Sequence, residues 1–157
     1  MARLDSTLLD LVEKLADGEA AVRGNAASDL HYVLELALID ITFGQSKPVE
    51  EDVALLVAKR ILNAYLHEPE LEVRHGLLAA LLYAVPFNQS LILDLTPISE
   101  RTRRASGYEL ECLIEVLGAS HHSSHEPVIR SFLGSSEPAI VKAAEEALIE
   151  ISYKRSV

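Results

Sequence analysis

Apolar residues recur along most of this chain at intervals of three and four, the spacing that places side chains on one face of an α-helix. The first such series is Leu4, Leu8, Leu11, Val12 and Leu15. No stretch shows the sustained alternation of apolar and polar residues that is typical of a half-buried strand. The pattern therefore predicts an all-α fold.

Breaks in this periodicity divide the chain into predicted helices. The first begins near Asp5 or Ser6, the second covers 19–42, and the third runs from Pro48 to about Leu66. The fourth contains Val73 to Val85, and the fifth starts at Ser106 and ends at Gly118. The last two cover 126–133 and 137–152. The apolar residues of the second and third helices are Val22, Ala26, Leu30, Val33, Leu34, Ala37 and Ile41, then Val53, Leu56, Val57, Ile61 and Leu62. We expect these residues to face the core.

Local signals mark two of the predicted helix starts. Ser46-Lys47-Pro48 is typical of a cap with a proline in the first turn. Ser106-Gly107-Tyr108-Glu109 has the spacing of a capping box, in which the serine oxygen and the glutamate carboxylate bond to free backbone N–H groups. Between residues 86 and 106 the pattern is weaker. Leu91–Leu95 fits either a short helix or a strand, and the order of this segment stays open.

Size and charge limit the function. The 157 residues, 49% of them hydrophobic, predict one domain, 1–157, with a sizeable core, and two very small domains are the alternative. Fourteen basic against twenty-four acidic residues give a net charge of −10. Such a surface repels nucleic-acid backbones and anionic membranes, and it favours a basic protein as partner.

Cysteine usage and the apolar runs indicate the compartment. Cys112 is the only cysteine, so an intrachain disulfide is excluded and a reducing cytoplasm fits best. Asp5, Asp10 and Glu13 interrupt the N-terminal apolar residues, unlike a signal peptide. The longest apolar runs, such as Leu77–Val85, are shorter than a membrane span. We expect a soluble cytoplasmic protein.

The second helix of each predicted pair repeats a pattern. Val22, Val73 and Ile140 are followed four residues later by Ala26, Leu77 and Ala144, and eight residues later by Leu30, Leu81 and Leu148. The preceding turns are Asp17-Gly18-Glu19, Glu68-Pro69-Glu70 and Ser136-Glu137-Pro138. Arg23 and Arg74 follow the first two starting positions, whereas Val141 follows the third.

This pattern resembles the HEAT-repeat family, in which a proline-containing acidic turn precedes Val-Arg and then alanine and leucine at fixed offsets. The resemblance implies a short irregular solenoid of about three hairpins that binds other macromolecules. The spacings of 51 and 67 residues exceed the usual repeat of about 40. We therefore expect an insertion at about 86–118, with an extra helix at 107–118. An irregular helical bundle is the alternative.

Four groups of residues are candidates for catalysis or for binding a metal or an anion. His121, His122 and His125 with Glu126 fit a metal site or, better, a solvated loop. Cys112 has acidic neighbours, which predict a buried thiol rather than a nucleophile. The adjacent carboxylates Glu50-Glu51-Asp52 and Glu145-Glu146 fit solvated helix faces better than acid–base catalysis. Arg101, Arg103 and Arg104 fit either an anion site or contacts with acidic helices of the same chain. The sequence therefore predicts no enzyme, no metal and no cofactor.

Three functions stay open. The favoured one is a protein-binding module, most concretely one similar to the small acidic immunity proteins that block a basic nuclease toxin. An adaptor or scaffold of a larger complex, including a lyase-type assembly, is the alternative. A HEAT-like DNA-repair glycosylase fits least, because tryptophan is absent and the charge is negative. The predicted contact residues are Asp29, Tyr32, Glu35, Glu68, Glu70, Glu72, Tyr83, Glu109, Glu111 and Glu115.

Overall fold

The computed structural model describes residues 4–44, 48–88 and 93–153. Every regular element in these residues is helical and none is a strand, which confirms the all-α prediction. The α-helices are α1 (Asp5–Lys14), α2 (Ala20–Thr42), α3 (Glu51–His67), α4 (Leu71–Ala84), α5 (Thr96–Arg101), α6 (Gly107–Ala119), α7 (Glu126–Arg130) and α8 (Pro138–Tyr153). Two 3-10 turns cover Val85–Asn88 and Ser123–His125.

The chain divides into two compact units, Met1–Leu93 and Asp94–Val157. We call them the N-terminal unit and the C-terminal unit. In the N-terminal unit, α1 packs against α2 and α3, while α4 packs against α2 and α3. In the C-terminal unit, α6 packs against α5, α7 and α8, and α8 also contacts α7.

Each unit has its own aliphatic core. The N-terminal core includes a group of side chains that are at most 1% exposed: Leu8, Leu30, Ile61, Tyr65, Leu77 and Leu81. The corresponding fully buried side chains of the C-terminal unit are Ile98, Leu113, Ile114, Leu117, Ile129 and Ile140. The apolar spacing of the sequence identified most of these residues, because a helix at 100° per residue brings such positions to one face.

One glycine permits a close contact between two helices of the C-terminal unit. A Cβ added to Gly118 on α6 would lie 2.8 Å from both the Cα and the Cβ of Ala147 on α8. No side chain fits there, because the nearest atoms include backbone that cannot rotate away. The α6–α8 packing therefore depends on a small residue from each helix.

Two predicted helix starts need correction. The third helix begins at Glu51, and Pro48 precedes it instead of lying in the first turn. The Pro48 carbonyl accepts a hydrogen bond from Leu4 N–H at 3.0 Å, and Asp5 Oδ1 accepts one from Glu50 N–H at 3.0 Å. These bonds tie the segment before α3 to the start of α1. The predicted Ser46 and Lys47 cap lies outside the described residues.

The capping box at Ser106 is also incomplete. Ser106 is the N-cap residue, as predicted, but its side chain makes no cap hydrogen bond. Gly107 follows it with φ +55°, so the chain enters α6 through a left-handed residue. Glycine adopts this conformation at little cost.

The structure also differs from the sequence predictions at two expected core residues and in the bounds of the short elements. Ile41 and Leu56 are 43% and 40% exposed, not core residues. The short helix predicted for 126–133 ends at Arg130, because Ser131, Phe132 and Leu133 make tighter i to i−3 backbone bonds. Thr96–Arg101 forms a helix within the segment left open by the sequence. Of the predicted Leu91–Leu95 element, residues 93–95 belong to no helix or strand, and residues 91 and 92 lie outside the described residues.

Candidate functional site

The predicted contact residues of α2 divide between its surface and its contact with α4. Asp29 and Tyr32 are exposed. Glu35 is half-buried, and Tyr83 on α4 donates a hydrogen bond to its Oε1 at 3.5 Å. The Tyr83 ring stacks on His31, with ring centroids 4.9 Å apart. Tyr83 is therefore part of the α2–α4 packing.

The pKa of Tyr83 reflects this position. Burial of the phenol raises its pKa, and the neighbouring Glu35 carboxylate raises it further. The hydroxyl thus stays protonated at neutral pH and can donate to Glu35. This contact fixes one carboxylate at the edge of the outer face of α2.

A row of large apolar side chains lies exposed along α2 and at Phe43, the C-cap residue that follows it. Tyr32, Leu36, Ile39 and Phe43 are 62%, 43%, 47% and 75% exposed. Their spacing of four, three and four residues places them along one face of the helix. We call these four residues the α2 stripe. Only Tyr32 was predicted from the sequence.

The opposite side of α2 is buried as well as apolar. Leu30, Leu34 and Ala37 are at most 2% exposed. A helix that is apolar on two sides gives no clear amphipathic pattern, so the sequence did not separate the stripe from the core. The signal that identifies it is the second series at 32, 36, 39 and 43.

Carboxylates border the α2 stripe. At 100° per residue, Asp29 and Asp40 fall on one edge of the stripe and Glu35 falls on the other. Residues 24–44 contain no lysine or arginine. The outer face of α2 therefore combines exposed apolar groups with negative charge alone.

Glu68 is not on an outward surface, which corrects its predicted position. Its side chain is 3% exposed. Arg23 Nε donates to its Oε2 at 2.8 Å, and Arg23 Nη2 donates to its Oε1 at 2.9 Å. The hydrogen bonds from Arg23 lower the pKa of Glu68, and the Glu70 N–H bond adds to this effect against the cost of burial. Glu68 is thus a structural carboxylate.

Further hydrogen bonds join this pair to the turn before α2 and to the turn before α4. Arg23 Nη1 donates to the Asp17 carbonyl at 2.9 Å. Glu68 Oε1 accepts a hydrogen bond from Glu70 N–H at 3.1 Å. Arg74 Nη1 donates to the carbonyls of Glu68 and Pro69. The repeated Val-Arg positions of the sequence therefore have a structural role.

Glu70 and Glu72 differ from Glu68 in exposure. Glu70 is the N-cap residue of α4 and Glu72 lies in its first turn. Both side chains are exposed. Their exposure leaves both carboxylates open to contact with another molecule, and that contact stays a prediction.

The three predicted acids of α6 have different surroundings. Glu109 is buried, at 9% exposure, so its predicted outward position is corrected. Glu111 is half-buried and Glu115 is exposed. Partial burial raises the pKa of Glu115, as do the nearby carboxylates of Glu111 and Glu146. All three lie in the C-terminal unit, separate from the group on α2.

Cys112 lies on the same helix and is buried. Burial raises the pKa of its thiol to about 11, and the nearby Glu115 and Glu111 add to the effect. A hydrogen bond with the Tyr108 hydroxyl lowers the pKa only in part. A thiol of this kind is almost fully protonated at neutral pH, which disfavours nucleophilic chemistry.

The three histidines after α6 do not converge. His121 Nε2 lies 3.2 Å from Glu150 Oε1, and its buried Nδ1 has no hydrogen-bond partner among the described residues. The rings of His122 and His125 meet edge to face, with centroids 6.4 Å apart. Burial lowers the pKa of His125, and His122 lowers it further. Among the described residues, no group of three metal-ligating side chains is arranged to hold an ion.

Two of the three clustered arginines extend into solvent. Arg103 and Arg104 are exposed, and neither forms an ion pair within the described part of the chain. The predicted contact between these two arginines and acidic helices of the same chain is therefore absent. Arg101 is half-buried and makes contacts of its own.

A cleft of about 490 Å³ lies in the N-terminal unit, beside the Arg23–Glu68 pair. It is lined by Val12, Leu15, Ala16, Asp17, Gly18, Arg23, Arg60, Asn63, Ala64, His67, Glu68 and Pro69. Arg23 already donates to Glu68 and to the Asp17 carbonyl, while the Asp17 carboxylate accepts a bond from Glu19 N–H. These contacts occupy the polar groups that define one wall, so the cleft is secondary to the α2 face as a candidate site.

Comparison with protein-family models, with curated proteins and with solved structures finds no match for this chain. Among residues 4–44, 48–88 and 93–153, no helix has both the length and the apolar character needed to cross a bilayer.

Proposed function

We propose that the chain is a non-catalytic protein-binding module that captures a basic partner protein. The observation that supports this most is the outer face of α2, where four large apolar side chains are exposed beside carboxylates and residues 24–44 contain no lysine or arginine. Exposed apolar groups of this size are typical of interaction surfaces. The net charge of −10 speeds encounter with a cationic protein and disfavours acidic ones.

The concrete form of this proposal is an immunity or inhibitor protein that blocks a basic nuclease toxin. Such an enzyme needs positive charge to bind its nucleic acid, so an acidic protein can occupy the same surface. Asp29, Tyr32, Glu70 and Glu72 are exposed and are the first candidates for contact, with Glu111 and Glu115 in the other unit.

The architecture that we propose is a short irregular HEAT-like stack. In the N-terminal unit, α1–α2 and α3–α4 are consecutive hairpins. Their first helices, α1 and α3, pack against each other, and so do their second helices, α2 and α4. Stacked hairpins share a core in this way. An experimental structure in which α1–α2 superposes on α3–α4 supports the proposal, whereas hairpins of unrelated geometry contradict it.

Hydrogen bonds at the three repeated turns add support. Before α2, α4 and α8, a side-chain oxygen accepts the backbone N–H two residues later. The pairs are Asp17 with Glu19, Glu68 with Glu70, and Ser135 with Glu137, at 2.8, 3.1 and 3.1 Å. The similarity of sequence at these turns thus accompanies a similarity of local geometry.

The test is to mix the purified protein with basic nucleases encoded beside its gene, and to measure both nuclease activity and co-elution. We expect stoichiometric inhibition that weakens with salt. The double variant Glu70→Lys/Glu72→Lys should weaken it at least tenfold. The control Glu137→Lys/Glu145→Lys makes the same change in net charge at exposed positions outside the proposed contacts. Its inhibition of the nuclease should be within about twofold of that of the wild type.

Failure of every such nuclease to bind contradicts the immunity proposal. Stable membership of a large complex, without inhibition of any nuclease, would favour the adaptor function instead.

A further inference from the structure

We propose that the α2 stripe is the docking surface for an amphipathic helix of the partner, with lysine or arginine beside its apolar face. This inference rests on the proposed function and deepens it, because it assigns the site and the chemistry of the segment that binds there. The four residues of the stripe are Tyr32, Leu36, Ile39 and Phe43.

The spacing of the stripe fits a helix as its occupant. Steps of four, three and four residues form the narrow seam that two packed helices share. From Tyr32 to Phe43 the helix rises about 16 Å, at ~1.5 Å per residue. A partner helix of about three to four turns would cover this length.

Packing inside the N-terminal unit leaves the stripe uncovered. α2 already buries Leu30, Leu34 and Ala37 on its inner side, where it meets α4. Phe43 and Tyr32 remain 75% and 62% exposed at the two ends of the stripe. Aromatic residues of this kind are frequent anchors of binding energy.

Charge identifies the class of occupant. Asp29 and Asp40 border one edge of the stripe and Glu35 borders the other, where the Tyr83 hydroxyl holds it. A second copy of α2 would bring these carboxylates against identical ones, with no lysine or arginine in residues 24–44 to offset them. Like charges across an interface disfavour association. A helix with basic residues beside its apolar face would cover the stripe and also place positive charge against the bordering carboxylates.

The test uses two synthetic 18-residue helical peptides with leucine at the seam positions. One has lysine and the other glutamate at the flanking positions. Binding to the full-length protein is measured by titration calorimetry or fluorescence anisotropy. We expect the lysine peptide to bind at least tenfold more tightly than the glutamate peptide.

Matched variants locate the surface. Leu36→Ser/Phe43→Ser should weaken binding of the lysine peptide at least tenfold. Leu71→Ser/Ile149→Ser removes two exposed apolar side chains elsewhere, 49% and 57% exposed, and should change the affinity by less than about twofold. Circular dichroism and thermal melting establish that each variant is folded before its binding is compared.

The carboxylates that border the stripe should affect the kinetics and the salt dependence of binding. Asp29→Asn/Asp40→Asn should lower the association rate and reduce the dependence of binding on salt, because these carboxylates act on approach. Equal loss of binding in the stripe variant and its control would overturn the proposal. Equal affinity for both peptides would do so as well, as would a wild-type dimer that the stripe variant abolishes.

The outcomes separate this inference from the proposed function. A nuclease that binds the Leu36→Ser/Phe43→Ser variant as tightly as the wild type overturns the docking surface and leaves capture of a basic partner intact. Absence of any nuclease partner overturns the immunity proposal, while the peptide measurements still decide the role of the stripe.

Discussion

Arg23 and Glu68 form a two-point ion pair across 45 positions of sequence, with N–O distances of 2.8 and 2.9 Å. The pair joins the first turn of α2 to the turn between α3 and α4. Its side chains are only 14% and 3% exposed. At such a position each group depends on the other for its hydrogen bonds, because water has little access to replace them.

Glu68→Gln should destabilise the protein by about 2 kcal/mol, the usual range for a hydrogen bond to a charged group. The neutral amide offers one oxygen where Arg23 and the Glu70 N–H require two. Urea unfolding followed by circular dichroism measures the change. Glu145→Gln, at an exposed position of α8, is the control and should remain within about 0.5 kcal/mol of the wild type. A loss no larger than that of the control would show that the pair adds little stability.

The stability due to Glu68 should disappear in acid. Its pKa is lowered in the folded protein, so its contribution is complete above the unfolded value of about 4.3 and declines as pH falls through the folded value. The difference in unfolding free energy between wild type and Glu68→Gln should therefore be largest near pH 7 and shrink below about pH 4. Urea titrations at several pH values between these limits measure it. A difference that grows on acidification contradicts this assignment.

Gly118→Ala should destabilise the C-terminal unit by about 2–3 kcal/mol, as expected for overpacking against backbone. The added methyl would lie 2.8 Å from Ala147, so α6 and α8 must move apart. Thermal melting and hydrogen exchange measure the effect. Gly134→Ala is the matched control, since a Cβ there meets no atom within 4 Å. Similar stability of the two variants would mean that the helices are not in close contact.

Cys112 should react with thiol reagents at least tenfold more slowly in the folded protein than in urea at pH 8. Its pKa of about 11 leaves little thiolate, and burial limits access. Absorbance of the released thiolate after addition of an aromatic disulfide measures the rate. Rapid reaction without denaturant would reveal an exposed or activated thiol.

The sequence predicted α2 and α6 well because each carries a long apolar series between clear breaks. It left α5 open because this helix has only six residues, and Pro97 lies in its first turn. Short helices depend on packing more than on their own residues.

The candidate site was predicted less completely. The burial of Glu68 depends on Arg23, 45 residues away, which periodicity does not encode. Leu36, Ile39 and Phe43 were missed because α2 has apolar residues on both its buried and its exposed sides. Asp29 and Tyr32, which the sequence predicted as contact residues on one face of the long helix, are both exposed.

The three turn hydrogen bonds do not respond equally to acid. Glu68 accepts through a carboxylate, which becomes neutral when protonated, whereas Ser135 accepts through a hydroxyl that keeps its charge state. The start of α8 should therefore outlast the start of α4 when protons are abundant. An acidified sample should lose its amide protection at α4 before it does so at α8.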